Sequence, residues 1–423
     1  MPREDLIFVG ACDIAGQVRG KGFPAADIES RLRKGVGWTH SNMMQTAFGA
    51  ILDTPFGTGG DLTIVPDPAC EVVVDFGDGS VDEHFFLGDI RNTDGTAWEC
   101  CPREFLRRAV AGLEAARGLN LIAAFEHEFV YTGVEDAPGH AYSLGAFRRQ
   151  GAFGESFLGA LTDAGVTPDS FLPEYGSRQY EVTVTPQNPV TAADQAVIVR
   201  ELARATAHRL GFRTIFSPMI APDGVGNGVH IHFSFRDRDG APATHDRSGR
   251  LGLSAVAEHF CAGVLRHLPA ICAITAPSPV SYLRLTPNRW APTRIDIAAQ
   301  DRGLALRVCP VFVAADAADA DRQFNIEFRV ADAAASPHMA LGALIRAGTD
   351  GIEQALRLPE GGVAETLPTT LADALTAMEA SASVRDWFGP VFLDAYLRHK
   401  RSEVAYVSEW SPAEMCARYG AVY

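Results

Sequence analysis

This chain of 423 residues has no cationic patch to offer: 37 Lys and Arg stand against 52 Asp and Glu, for a formal net charge of −15, and no basic run interrupts the acidic excess. Contact with nucleic-acid phosphates needs clustered cations, so a nucleic-acid partner is excluded. No apolar run approaches the roughly 20 residues needed to span a bilayer, so no membrane segment is expected. The opening Met-Pro-Arg-Glu-Asp lacks the basic and apolar blocks of a secretion signal. The eight cysteines (12, 70, 100, 101, 261, 272, 309 and 416) form no Cys-x-x-Cys pair. Without metal-knuckle or redox spacing, they read as buried free thiols of a reducing compartment, and a cytoplasmic protein is expected. No internal repeat or low-complexity tract occurs. What remains is an ordinary globular composition, 47% hydrophobic and 21% charged, ample for a sizeable core.

Against that background, carboxylates and histidines two residues apart stand out. Glu126 and Glu128 lie in Ala-Phe-Glu-His-Glu-Phe, His230 and His232 in Gly-Val-His-Ile-His-Phe, and Glu327 with Arg329 in Asn-Ile-Glu-Phe-Arg. In a strand, residues i and i+2 share a face, so each pair can reach one cavity while apolar neighbours bury the other side. Acids converging on one space repel by about 4 kcal/mol per pair at ~4 Å and an effective dielectric of about 20. Hard divalent cations are the usual compensation. The pattern reads as a metal-loaded active site.

The chain divides by pattern. Residues 1–98 look β-rich, with short branched runs at 6–9 and 71–75 and Gly and Pro between them. From Pro102 a helical period begins, ending at Gly118. A strand is expected over 121–131, an acid-bearing segment over 174–184, and helices over 192–210, near 252–268 and across 337–423. The fold class is α+β: a small N-terminal domain (1–98) and a large C-terminal domain (99–423).

In chain order the segments include Gly60-Asp61-Leu-Thr-Ile-Val-Pro66-Asp67, Pro102-Arg103, the Glu-x-Glu strand and Glu174-Tyr-Gly-Ser-Arg-Gln-Tyr-Glu181. Ala-Ala-Asp194-Gln, Gly226-Asn-Gly228-Val-His230-Ile-His232, Ser281-Tyr-Leu-Arg284 and Asp301-Arg302-Gly-Leu-Ala-Leu-Arg307 follow. Glu327-Phe-Arg329-Val-Ala-Asp332 and Ala347-Gly348-Thr-Asp-Gly351 complete the series. Together they resemble the glutamine synthetase family. The resemblance implies a β-grasp-like N-terminal domain, a catalytic domain with a curved antiparallel sheet, and stacked homo-oligomeric rings with sites between subunits. It implies that ATP phosphorylates the side-chain carboxylate of glutamate and that an amine then displaces phosphate.

By motif, Glu128, Glu174 and Glu181 would hold one Mg²⁺ (Mn²⁺ in its place) and Glu126, His230 and Glu327 a second. Two dications there would neutralise charge during in-line transfer. His232 would approach the nucleotide phosphates, or serve as a structural histidine facing the cavity. Arg284 would grip the α-carboxylate of the amino acid, Arg302 would sit by the transferred phosphoryl group, and Arg307 and Arg329 would contact nucleotide or substrate. Guanidinium forks suit such anions. Gly226-Asn-Gly228 would bring backbone close to ligand, or simply turn a hairpin.

Four departures from the family pattern stand out, the first two bearing on the amine. The stretch Gly37-Trp-Thr-His-Ser-Asn-Met-Met44 contains no acid where the family's ammonium-binding aspartate is expected. Arg289-Trp290-Ala-Pro has an indole where the family's flap has glutamate. Phe216-Ser-Pro218-Met219 lacks the usual lysine, and Arg178 replaces a glycine. Ammonium without those carboxylates would be a poorly compensated charge. An organic amine would instead gain from Trp290, Trp38 or the methionines. The expected product is therefore a γ-glutamylamide. Polyamines are disfavoured, because no acid for a second ammonium is evident. The alternatives are an ammonia-using glutamine synthetase, a catalytically silent ring protein, and a phosphotransferase acting on a guanidino group.

Overall fold

A computed structural model of the chain describes residues 4–360 and 366–423. The N-terminal strands are β1 (Leu6–Cys12), β2 (Val18–Pro24), β3 (Val36–Thr39), β4 (Asp61–Val74) and β5 (Glu83–Asn92). They form one mixed sheet in the order β2-β1-β5-β4-β3, with β1 and β5 parallel and the other pairs antiparallel. Alternation sets its buried face: Leu62, Ile64, Val72 and Val74 of β4 lie inward while Glu71 and Val73 face out. A short helix, Ile28–Lys34, sits among these strands; it has no buried residue, which is why the sequence pattern did not reveal it.

The helix Pro102–Arg117 follows, with Pro at its first turn and Gly118 at φ 66° as its stop, as the sequence pattern predicts. Arg103 pairs with Asp67 of β4 at 2.8 Å, Asp89 of β5 at 3.1 Å and Asp194 at 2.8 Å. His338 adds a contact to Asp194 at 2.8 Å. This buried network ties the first sheet to the second half of the chain, and loss of one partner would strand a charge at about 3–5 kcal/mol.

The larger sheet contains β6 (Asn120–Tyr131), β7 (Pro168–Pro173), β8 (Gln179–Val184), β9 (Thr214–Ile215), β10 (Val229–Arg236), β11 (Arg294–Ala299), β12 (Leu304–Val308) and β13 (Ile326–Phe328). Its order is β11-β12-β13-β10-β6-β8-β7, with β9 against β6. It is antiparallel except for the edge pair β11 and β12. Phe125, Phe129, Ile231, Phe233, Ile326 and Phe328 are buried in the core that the long helices share.

Two of those helices, Ala255–Thr275 and Pro337–Glu353, touch through glycine. A Cβ on Gly263 would come within 2.3 Å of the Ala347 carbonyl, and one on Gly348 within 2.1 Å of the Phe260 ring. The Gly348 and Gly351 motif thus serves close helix packing rather than chemistry. The first of these helices passes through Pro269 and ends only at Thr275, beyond the 268 expected from sequence. Proline removes one helical hydrogen bond, and burial of Ile271, Cys272 and Ile274 keeps the helix going beyond it.

Candidate active site

Strand register assembles the site. His230 lies opposite Glu126, Glu128 opposite Glu181, His232 opposite Glu327, and Arg307 opposite Glu327. Directly opposed side chains on one face have Cβ atoms about 4.5–5.5 Å apart. Four strands, β12, β13, β10 and β6, therefore carry the histidines, arginine and glutamates across one surface, with β8 extending it.

The side chains meet as that register requires. His230 Nδ1 is 2.7 Å from Glu126 Oε1 and 3.5 Å from Glu327 Oε1. Ligand atoms of Glu126, Glu181 and His230 lie within 4.8 Å of one another, as do those of Glu126, His232 and Glu327. Glu126 thus belongs to both clusters, and Glu181 groups with Glu126 and His230 rather than with Glu128 and Glu174. Glu128 accepts from the Gly228 amide at 2.7 Å. Glu174 accepts from the Tyr142 hydroxyl at 2.6 Å and from the Tyr175 amide at 3.0 Å.

The electrostatics show what the cluster needs. Burial, together with the charges of Glu126, Glu128 and Glu174, pushes the Glu181 carboxyl up to about 11. Burial and Glu128 also raise Glu174. Burial opposes the charge on Glu126 too, but His230 and His232 outweigh it and hold this carboxyl well below the usual range. His232 is held well above the ordinary histidine range: burial works against it, but Cys309, Glu126 and Glu327 prevail. An unbalanced set of carboxylate oxygens with imidazole nitrogens suits a hard divalent cation. These residues fit the metal that the pattern implies.

Glu327, 1% exposed, accepts from Arg307 at 2.7 Å and also from Arg329. Arg284, 3% exposed, donates through Nη2 to the carbonyls of Val330 and Ala331, while its Nε has no partner. Its Nη1 makes no hydrogen bond among the described residues, so this buried guanidinium keeps a donor for a carboxylate. Gly226 and Gly228 allow it: a Cβ on Gly226 would lie 2.5 Å from Arg284 Cγ. One on Gly228 would lie 3.0 Å from His230 Nε2 and 3.1 Å from Arg284 Nη1. The two glycines thus let the backbone pass close to Arg284 and His230.

Arg302 stands apart. Its side chain is exposed and makes no ion pair or hydrogen bond among the described residues; only its carbonyl accepts, from Arg329 Nε at 3.1 Å. Trp290 is 64% exposed, at φ 56°, and stacks on Tyr175 with centroids 5.7 Å apart and planes at 8°. Its carbonyl lies 3.4 Å from Arg329 Nη2. By contrast, Trp38, Met43 and Met44 are buried in the core, because alternation turns Trp38 inward on β3. In this chain they are not available to an amine, and that part of the sequence expectation is corrected.

The model described as "Glutamine synthetase, catalytic domain" matches residues 99–418, and the one described as "Glutamine synthetase N-terminal domain" matches residues 3–98. The chain belongs to the glutamine synthetase family. It is 35% identical to a gamma-glutamylpolyamine synthetase of Streptomyces coelicolor, over 96% of this chain and 91% of the relative. It is 28% identical to a glutamine synthetase of Halobacterium salinarum, over 96% and 92%. A solved structure titled as a novel glutamine synthase homolog superposes with a TM-score of 0.93 at 40% identity, covering 100% of this chain and 99% of that one. As a member of this family the protein is an ATP-dependent enzyme that forms carbon–nitrogen bonds on small molecules, in a family that uses divalent metal ions.

Sequence reasoning missed several cleft residues. Tyr142 packs edge-on to Tyr175 at 5.2 Å. Asn325 meets His232 Nδ1 at 3.0 Å, and Cys309 approaches the same nitrogen at 3.8 Å. Asp223 shares a cleft of about 460 Å³ with Tyr175, Arg289 and Trp290. Tyr175 and Asn325 lay inside quoted motifs, beside Glu174 and two residues before Glu327; no spacing signal marked Tyr142, Cys309 or Asp223.

Proposed function

We propose that this enzyme joins the γ-carboxyl of glutamate to an organic amine through a γ-glutamyl phosphate, forming a γ-glutamylamide. The observation that carries this reading is Trp290, exposed and stacked on Tyr175 at the flap position where an ammonium-binding carboxylate would be required. The likeness to a gamma-glutamylpolyamine synthetase supports the same choice over ammonia.

In this reading Arg284, whose Nη1 makes no hydrogen bond among the described residues, receives the α-carboxylate of glutamate. The γ-carboxylate oxygen attacks the terminal phosphorus of ATP and ADP leaves; the amine nitrogen then attacks the acyl carbon, phosphate departs and the amine gives up a proton. Glu126, Glu128, Glu174, Glu181, His230 and Glu327 would hold Mg²⁺ or Mn²⁺, which when bound supplies charge neutralisation at the phosphates. His232, beside Glu126 and Asn325, would approach the nucleotide phosphates. Arg307 and Arg329 orient Glu327 and keep a further cationic edge at the same surface. Arg302, exposed on the loop between β11 and β12, would reach the phosphoryl group only by moving inward.

We assign the enzyme to homo-oligomeric stacked rings, with the boundary between its domains at residue 98/99, and to the cytoplasm. Eight free cysteines suit a reducing compartment. No helix among the described residues is long and apolar enough to cross a membrane. Phosphate release measured with ATP, Mg²⁺ and glutamate against a panel of amines, ammonia included, tests the reading. Turnover with organic amines and γ-glutamylamide by mass spectrometry are expected; turnover with ammonia alone would refute it.

A further inference from the structure

The cleft at the flap carries more information than the choice between ammonia and an organic amine. Asp223 lies on a turn closed by the Gly224 amide on the Ala221 carbonyl at 3.0 Å. Its carboxylate is exposed and has no ion pair or hydrogen bond among the described residues. Arg289 lines the same cleft, but its guanidinium donates to the Gly224 carbonyl at 2.6 Å and to that of Pro222. The arginine therefore braces the loop that presents Asp223 and makes no ion pair with its carboxylate among the described residues. Across the opening stand Trp290 and Tyr175, whose rings already touch face to face. Stacked rings at this separation leave no slot for a third between them, so the pair offers its outer surface to an alkyl chain rather than sandwiching an arylamine.

Each wall of the cleft runs directly into the reaction centre. Tyr175 adjoins Glu174, and its amide donates to that carboxylate. The loop bearing Asp223 continues to Gly228, whose amide donates to Glu128. The Trp290 carbonyl meets Arg329, which binds Glu327. The walls of the cleft are thus bonded to the carboxylate cluster, and its lining carries an anion with no partner among the described residues.

Resting on the ligase reading above, we infer that Asp223, Tyr175 and Trp290 form a subsite for the far end of an aliphatic diamine or polyamine, with Asp223 holding the second ammonium. An unpaired carboxylate beside aromatic faces attracts an alkylammonium by charge and by cation–π contact. A monoamine of the same length gains only the apolar part.

The test is amide formation by the full-length enzyme with 1,4-diaminobutane and with n-butylamine, each at saturating ATP, Mg²⁺ and glutamate. The wild type should favour the diamine in kcat/KM. Asp223→Asn should lower the diamine-to-monoamine ratio about fivefold, the most an exposed ion pair usually contributes, with the change in KM; Asp223→Glu should restore it. Tyr175→Ala should raise KM for both amines, and more for the diamine, which loses the cation–π contact as well as the apolar one. Amide formation with no diamine preference, or a ratio unaltered in Asp223→Asn, overturns the subsite and leaves the ligase reading standing. No amide with any amine overturns both.

Discussion

Replacing Glu181 by Gln should stabilise the metal-free enzyme while removing its response to metal. In the folded chain the Glu181 carboxyl is pushed from 4.5 up to about 11 by burial and by Glu126, Glu128 and Glu174. The folded state therefore keeps a proton that the unfolded chain releases above about pH 4.5, and metal-free stability must fall as pH rises from there. Each pH unit is worth about 1.4 kcal/mol, so by about pH 7.5 the penalty is about 4 kcal/mol. A single like-charge pair at ~4 Å gives the same order. Partial exposure of Glu126 admits water and trims this, leaving about 2–4 kcal/mol. Urea unfolding in EDTA, followed by tryptophan fluorescence from pH 5 to 8, reads it directly. Wild type and Glu181→Gln should coincide near pH 5 and diverge steadily above it, the variant being the more stable. Saturating Mg²⁺ should then close the gap, because a ligand at 100 times its Kd stabilises by about 2.7 kcal/mol and the variant binds it less tightly. Parallel pH profiles, or a less stable variant in EDTA, would refute the claim that Glu181 sits in an uncompensated field.

Glu327→Ala should abolish phosphate release, by at least about 10³-fold, the scale on which a single transition-state electrostatic contact acts; undiminished turnover would end its assigned role. Gly228→Ala places a methyl about 3.0 Å from His230 and 3.1 Å from Arg284, so glutamate KM should rise about tenfold, a little over 1 kcal/mol, while the far-ultraviolet circular dichroism stays native. Trp290→Glu should shift the ratio of kcat/KM toward ammonia, since it restores a carboxylate to the flap; an unchanged ratio would refute the account of the flap.

Much of the site was legible because strand geometry is periodic. Glu126 with Glu128, and His230 with His232, share faces by alternation alone, and the structure aligns these faces through cross-strand register. The helix beginning at Pro102 was legible from its caps, and Gly118 ends it for the reason the sequence suggests. One limit is side-chain placement, which no motif gives: Arg307 and Arg329 reach Glu327 from paired strands, while Arg302 lies on the loop between β11 and β12. Trp38 shows a second limit, because an aromatic residue in a motif-like stretch was turned into the core by the pleat of β3. Asp223 was illegible for a third reason: an isolated Asp on a turn has no period, and only the fold sets it beside Trp290 and Tyr175.

The family, the α+β class and the sets of carboxylates and histidines sharing a strand face follow from the order of residues alone, since alternation along a strand is a local property of the backbone. Which of those groups meet is settled by the folded chain. It places Glu126 in both clusters, turns Arg307 and Arg329 onto Glu327, seats Arg284 on the Val330 and Ala331 carbonyls and brings Asp223 to the flap. Those outcomes depend on register between strands far apart in the chain and on where loops return, and neither is encoded by spacing within any one segment.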